Sequence, residues 1–329
     1  MRWLKFLLSV LVFLSIGLQP SFGVIVPGGR DALGNLDNTG TNKNPAPFNL
    51  GSYTGQFGGF LATAISPQYI VTATHVGGSS TFVYADGGAV PQTYNITLAG
   101  SLDDLSIYKI TGPQTLTHFI PIYTASNEVG QQMVVLGNGT TRGGVVNTPG
   151  TSNPAGWLWG GGSTLRSWGT NTVDSIINLS GPPPGAPFLG DFLHFSFSNP
   201  SNPDNAIVSV GDSGGPLFAL DPSDNQWKLA GINGLVEVAK QTPGGPDFLA
   251  ALFDARGFYD GTTLIEGNDP VPLGSLDTRI SSRQDFINSI IGVPEPGSLA
   301  LMACVLPGAY LVIRKYRKHT AQLNEAALV

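Results

Sequence analysis

The chain has 329 residues, 44 glycines, 25 prolines, one cysteine and a formal net charge of −6. Charged residues make up 12% of it, half the globular average of about 25%, which excludes a charge-rich disordered chain and a coiled coil. An acidic chain with no basic stripe is not expected to bind nucleic acid, and Cys304 alone excludes an intramolecular disulfide or a cysteine-based zinc site. Abundant glycine and proline with few charges point to many turns, and so to an all-β body.

In chain order, residues 1–23 begin basic (Arg2, Lys5), run apolar from Leu7 to Leu18 and end in Ser21-Phe22-Gly23. This is the pattern of a secretory signal peptide, with the mature chain starting near Val24. From about 50 to 137, short runs rich in Val, Ile, Thr, Tyr and Phe alternate with turn residues. Strands are expected at Phe57–Ala64, Tyr69–Ala73, Thr81–Ala85, Thr93–Leu98, Leu105–Ile110 and Gln132–Leu136. Residues 138–205 read as an insertion rich in Gly, Pro, Asn and Ser. A structureless loop of that length is implausible, so Ser163–Trp168 and Phe192–Phe197 are assigned as strands within it. Trp157, Trp159, Trp168 and Arg166 in this segment read as local core, in preference to a glycan- or protein-binding surface. Strands return at Pro216–Leu220, Gln226–Ile232 and Phe248–Phe253. Arg283–Ile291 carries an apolar stripe at helical spacing, with Ser281 or Ser282 in position to cap it.

At the C-terminus, Val293-Pro294-Glu295-Pro296-Gly297-Ser298 precedes an uncharged run from Leu299 to Ile313, followed by Arg314, Lys315, Arg317 and Lys318. As a helix this run is about 22 Å long, short for a bilayer core of about 30 Å. The three parts in this order resemble the PEP-CTERM sorting signal of Gram-negative bacteria. The resemblance implies a transient membrane anchor, processed by an exosortase-type enzyme, with the body outside the cytoplasm. An ordinary C-terminal anchor is the alternative. Between Val24 and Gly292 there are 10 Lys and Arg against 20 Asp and Glu, so the body alone carries −10.

Three segments carry chemistry. Gly211-Asp212-Ser213-Gly214-Gly215-Pro216 places a serine among glycines, which let backbone amides close around a developing oxyanion. Such a serine needs a base, and the base a carboxylate. Ile70-Val71-Thr72-Ala73-Thr74-His75 ends an apolar strand in histidine, and Asp103-Asp104-Leu105-Ser106-Ile107 opens a strand with aspartates. Together these segments resemble the trypsin/chymotrypsin family of serine endopeptidases. The resemblance implies two packed six-stranded antiparallel β-barrels with a C-terminal helix, spanning about residues 24–292. It also implies His75 as general acid/base, Asp104 as its orienting carboxylate, Ser213 as nucleophile, and the amides of Gly211 and Ser213 as the oxyanion hole. Asp103 is the rival to Asp104 and reads as its solvated neighbour. His118 and His194 match no motif and read as structural or surface residues.

The family's primary pocket falls on Ile207, six residues before the nucleophile. Gly231-Ile232-Asn233-Gly234-Leu235 is similar to its substrate-pairing strand, with Gly234 and Leu235 replacing the usual Ser and Trp. An apolar Ile207 implies cleavage after apolar or aromatic residues. Ile25-Val26-Pro27-Gly28-Gly29 resembles the family's activated N-terminus, so a cut at Val24 would offer an amine to Asp212. The expected partner is a protein or peptide substrate, and no cofactor or metal is expected. The alternatives are a surface binding or adhesion protein that keeps the protease fold, and an esterase-type acyl hydrolase. The order His, Asp, Ser and the all-β pattern argue against the esterase.

Overall fold

The computed structural model describes residues 23–28, 50–88, 90–161, 166–180 and 190–292. The signal-peptide and sorting-tail expectations fall almost entirely on residues 1–22 and 293–329, outside the described residues. Among the described residues, no helix is long and apolar enough to cross a membrane.

The N-terminal half consists of β1 (Thr54–Phe57), β2 (Phe60–Ser66), β3 (Tyr69–Ala73), β4 (Thr81–Tyr84), β5 (Gln92–Leu102) and β6 (Leu105–Ile110). They close into an antiparallel barrel in the order β1-β2-β3-β6-β5-β4. The run expected at Phe57–Ala64 is two strands: Phe57 pairs with Phe60 across a two-residue Gly58-Gly59 turn. Phe57, Ile70, Phe82, Tyr84, Tyr94 and Tyr108 fill the barrel and are all nearly fully buried. With no disulfide available, closure rests on this packing, at about 1.5–3 kcal/mol for each large side chain buried.

The rest of the chain consists of β7 (Gln132–Gly137), β8 (Arg142–Asn147), β9 (Pro154–Trp159), β10 (Ser167–Thr172), β11 (Ser175–Leu179), β12 (Gly190–Ser196), β13 (Pro216–Asp221), β14 (Gln226–Val236), β15 (Ala239–Lys240), β16 (Asp247–Phe248), β17 (Ala250–Leu252), β18 (Tyr259–Asp260), β19 (Thr263–Leu264) and β20 (Gly274–Arg279). Seven of these form a sheet in the order β10-β7-β13-β14-β20-β12-β11. A second closed six-stranded barrel was the expectation, and the difference is local. The β11–β12 hairpin adds a strand beyond the edge where β12 would meet β10. That edge is bridged by a side chain instead of a ladder: Asn171 Nδ2 on β10 donates to Ser196 O at the end of β12 at 3.0 Å and to Ala206 O at 2.8 Å.

The described residues of 138–205 are therefore built into the fold, supplying β10, β11 and β12 to this sheet and β8 and β9 to a three-stranded one with β17. The aromatic residues of this segment are core: Trp168 is nearly buried, and Trp157 packs against Phe197 and Phe253 with Arg142 over its ring. The expected strand at Phe248–Phe253 is split between β16, in a four-stranded sheet with β15, β18 and β19, and β17.

The chain divides into two compact units, 1–284 and 285–329. Helix α1 (Gln284–Ile291) opens the second, with Asp285 in its first turn, where a negative charge complements the helix dipole. Neither serine takes the capping role: the Ser281 hydroxyl donates to Glu128 Oε1 and that of Ser282 to Arg279 O.

Candidate active site

His75 follows β3 directly. Ile70, Val71 and Ala73 are fully buried and anchor the strand, which ends in a single 3-10 turn, Thr74–Val76, that carries the histidine. Asp104 sits in the two-residue turn between β5 and β6, where Leu102 pairs with Leu105. The next strand over, β3, pairs with β6 from Ala73 to Leu105, so the register alone brings His75 beside Asp104. The contact is close. His75 Nδ1 lies 2.9 Å from Asp104 Oδ1 and 2.8 Å from Oδ2, and the His75 amide donates to Oδ1 at 2.9 Å. Asp104 is fully buried, and its backbone carbonyl also accepts from the Thr74 amide. A carboxylate on Nδ1 holds the proton there in the neutral ring and leaves Nε2 as the basic nitrogen.

Ser213 lies in the loop before β13, half-buried, between Gly211 at φ 94° and Gly214 at φ 78°. A Cβ on Gly214 would lie 2.3 Å from Thr72 Oγ1 and 2.5 Å from the Leu61 carbonyl oxygen. Only glycine lets this loop rest on β2 and β3 of the barrel, beside the strand that ends in His75. Among the described residues, the amides of Gly211 and Ser213 have no hydrogen-bond acceptor. Asn233 staples the loop from β14: its Nδ2 donates to Leu136 O and Asp212 O at 3.0 Å each, and its backbone exchanges bonds with Gly214 and Gly215.

Asp212 is fully buried. Its Oδ1 accepts from the Gly139 amide at 2.6 Å, and its Oδ2 accepts from the Ser209 amide at 2.6 Å and the Ser209 hydroxyl at 3.0 Å. Burial pushes its carboxyl up to about 8, against the pull of the Ser209 bonds. In the segment expected to offer an amine after a cut at Val24, Ile25 is fully buried and exchanges both backbone bonds with Ile207 in an antiparallel bridge.

The three residues expected to shape the pocket are placed differently from one another. Ile207 is fully buried in an apolar cluster with Ile25, Phe197, Ala251 and Phe258. Leu235 is nearly buried against Phe192 and Leu276. Gly234 forms the bulge where β14 slips against β20, and a Cβ on it would be 3.5 Å from Asp104 Oδ2. Asp277, opposite Asn233 on β20, is a buried acid that sequence reasoning missed. Neither of its oxygens has a hydrogen bond among the described residues. Burial first and Asp212 second hold its carboxyl well above the usual range; the Gly234 amide opposes this from beyond hydrogen-bond geometry. Asn233 and Ser209 were also missed. A lone Asn amid the apolar residues of β14 was the one available signal. His118 stacks on Tyr53, and His194 lies between Asp174 and Glu237, at 3.6 and 3.8 Å.

A histidine–carboxylate pair therefore sits on the closed barrel, and a glycine-flanked serine on a loop of the second sheet that rests against β2 and β3. The family model for immunoglobulin A1 protease, peptidase family S6, matches residues 56–243, more than half of the chain. The chain therefore belongs to this family of serine peptidases. Among solved structures, the inactive form of a serine mutant of Rv3671c from M. tuberculosis H37Rv is similar at 18% identity and a TM-score of 0.40, over 77% of this chain and 93% of that one.

Proposed function

We propose that this serine peptidase is an exported endopeptidase that cleaves peptide bonds through an acyl-enzyme. Ser213 Oγ attacks the scissile carbonyl carbon while its proton passes to His75 Nε2. The resulting oxyanion is held by the Gly211 and Ser213 amides. Collapse breaks the C–N bond, and the same proton goes to the leaving amine. Water then repeats the sequence and releases the acid. The observation that carries this reading is the buried Asp104 carboxylate, with both oxygens within 2.9 Å of His75 Nδ1. The Gly211 and Ser213 amides, without an acceptor among the described residues, support the oxyanion role. Export rests on the signal pattern at 1–23 and the sorting pattern at 293–318, with membrane attachment and exosortase processing following from the latter. Cleavage after apolar residues is part of the proposal and rests on the apolar Ile207 at the position six residues before Ser213.

The test compares wild type with Ser213→Ala and His75→Ala on casein, on a peptide library and with a fluorophosphonate probe. Wild type is expected to label and cleave, and both variants to lose at least about a thousandfold. A wild type that neither labels nor cleaves makes the chain a binding protein on a peptidase scaffold. A library profile dominated by Arg or Lys overturns the apolar preference.

A further inference from the structure

Asp103 stands just before the triad carboxylate in the β5–β6 turn and takes φ 53°, a left-handed value that suits glycine better than aspartate. The sequence presents it as a solvated neighbour of Asp104. Its side chain instead lies mostly inside, 24% exposed, with Oδ2 accepting from Arg283 Nη2 at 3.2 Å. Arg283 is itself 2% exposed. Its Nη1 donates to Asp191 O on β12 at 2.9 Å, to Arg279 O on β20 at 3.0 Å and to Ser282 Oγ at 3.3 Å. The guanidinium carbon lies 5.8 Å from the centre of the Phe192 ring.

Room for this pair is made by Gly190, at φ 83°. A Cβ there would stand 2.7 Å from Arg283 Nη2 and 2.8 Å from Asp103 Oδ2. One end of the guanidinium is thus tied to the backbone of the seven-stranded sheet, which also carries the Ser213 loop. The other end holds the barrel turn that carries Asp104. The charge of Asp104 itself also acts on Arg283. A turn of two residues transmits the constraint without slack, and an error of about 1 Å at such a site costs on the order of a hundredfold in rate.

We propose that Arg283 is a positioning residue of the active site: through Asp103 it clamps the β5–β6 turn to β12 and β20 and so sets Asp104 against His75. The proposal rests on the serine peptidase reading of that site. The bond requires the guanidinium fork, with one nitrogen on backbone carbonyls and the other on the carboxylate, so lysine replaces only part of it.

The experiment uses the full chain with Arg283→Met, Arg283→Lys and Asp103→Gly. Asp103→Gly removes the carboxylate while suiting the positive φ and leaves the Arg283 bonds to the Asp191 and Arg279 carbonyls in place, and circular dichroism reports whether each variant keeps the fold. Peptide hydrolysis is measured alongside the downfield proton resonance of His75 Nδ1–H, assigned by its loss in His75→Ala. In Arg283→Met and Asp103→Gly, kcat is expected to fall about tenfold to a hundredfold with KM within about twofold, and the proton resonance to shift or broaden away. Arg283→Lys is expected to fall between these and wild type. Folded variants with unchanged kcat and an unmoved resonance overturn the proposal. An inert wild type sinks the peptidase reading instead, and the resonance, which needs no turnover, still decides whether Arg283 positions Asp104.

Discussion

At the residue scale, the nucleophile loop is held by buried acids as much as by glycines. Asp212 has three donors on its carboxylate yet titrates up near 8, so burial outweighs its hydrogen bonds. A buried acid whose pKa is raised on folding contributes stability below its unfolded value, near 4, and loses it as pH rises through about 8. Asp277, raised by burial and by Asp212 against the pull of the Gly234 amide, acts in the same sense. Unfolding by urea at pH 5 and pH 8.5 is expected to show lower stability at the higher pH, and Asp277→Leu to stabilise the chain by about 1–3 kcal/mol, more at pH 8.5 than at pH 5. A destabilised Asp277→Leu would show that the carboxyl is partnered. Gly214→Ala is the complementary change. Its Cβ meets the Leu61 carbonyl, which belongs to the backbone and cannot yield, at a φ that alanine resists. A loss of more than about 2 kcal/mol of unfolding free energy is expected in urea titration, with a fall in the rate of probe labelling.

At the element scale, β14 does two jobs. Its middle is fully buried in the sheet, and its bulge at Gly234 brings a bare backbone up to Asp104 while Asn233 faces the nucleophile loop. Asn233→Ala removes two buried bonds, so a loss of about 1–3 kcal/mol is expected, with slower labelling of Ser213 at unchanged secondary structure by circular dichroism. Most strands were legible from alternation and turn residues. β3 and β6 fall on the expected residues, and β4, β7 and β13 differ by a single residue. Where expectation and structure part, packing partners decide. Gly58-Gly59 reads as an interruption within an apolar run but acts as a hairpin turn, and the Phe248–Phe253 run is shared between two small sheets. The Gly-, Pro- and Asn-rich 138–205 segment lacks a strong period because its strands are short and half-exposed, so its place in the sheet is set by neighbours distant in sequence.

At the scale of the whole molecule, the connection between barrel and sheet is pinned rather than slack. In the linker after β6, the Tyr123 amide donates to Leu229 O and Pro121 O accepts from the Leu229 amide, and Glu128 is fully buried with both oxygens on Arg279, at 3.0 and 2.8 Å. Ser281 adds a hydroxyl to the same carboxylate. Removing Glu128 leaves the buried Arg279 with Asp191 Oδ2, at 3.5 Å, in place of a two-pronged bond, so Glu128→Ala is expected to cost about 3–5 kcal/mol and to lower Tm sharply. An unchanged Tm would mean that the Arg279 guanidinium finds water or another carboxylate. This network and the Asp103–Arg283 clamp both draw the C-terminal approach to α1 into the body, which has no disulfide to do so.

His75, Asp104 and Ser213 were readable because each sits in a short motif with its own local reason: a strand that must end, a tight turn, a glycine-flanked loop. The groups that hold them were not. Gly139 and Asp212 are 73 residues apart, and Asp103 and Arg283 are 180 apart. By itself the sequence determined an all-β body and marked His75, Asp104 and Ser213 as candidates, since apolar alternation and motif chemistry act over a few residues. Only the tertiary structure decided that Asp212 is satisfied by the chain's own amides, that Ile207 faces core, and that Asp103 is clamped. Those outcomes depend on which backbone groups burial leaves without water, and burial is settled by contacts between distant strands.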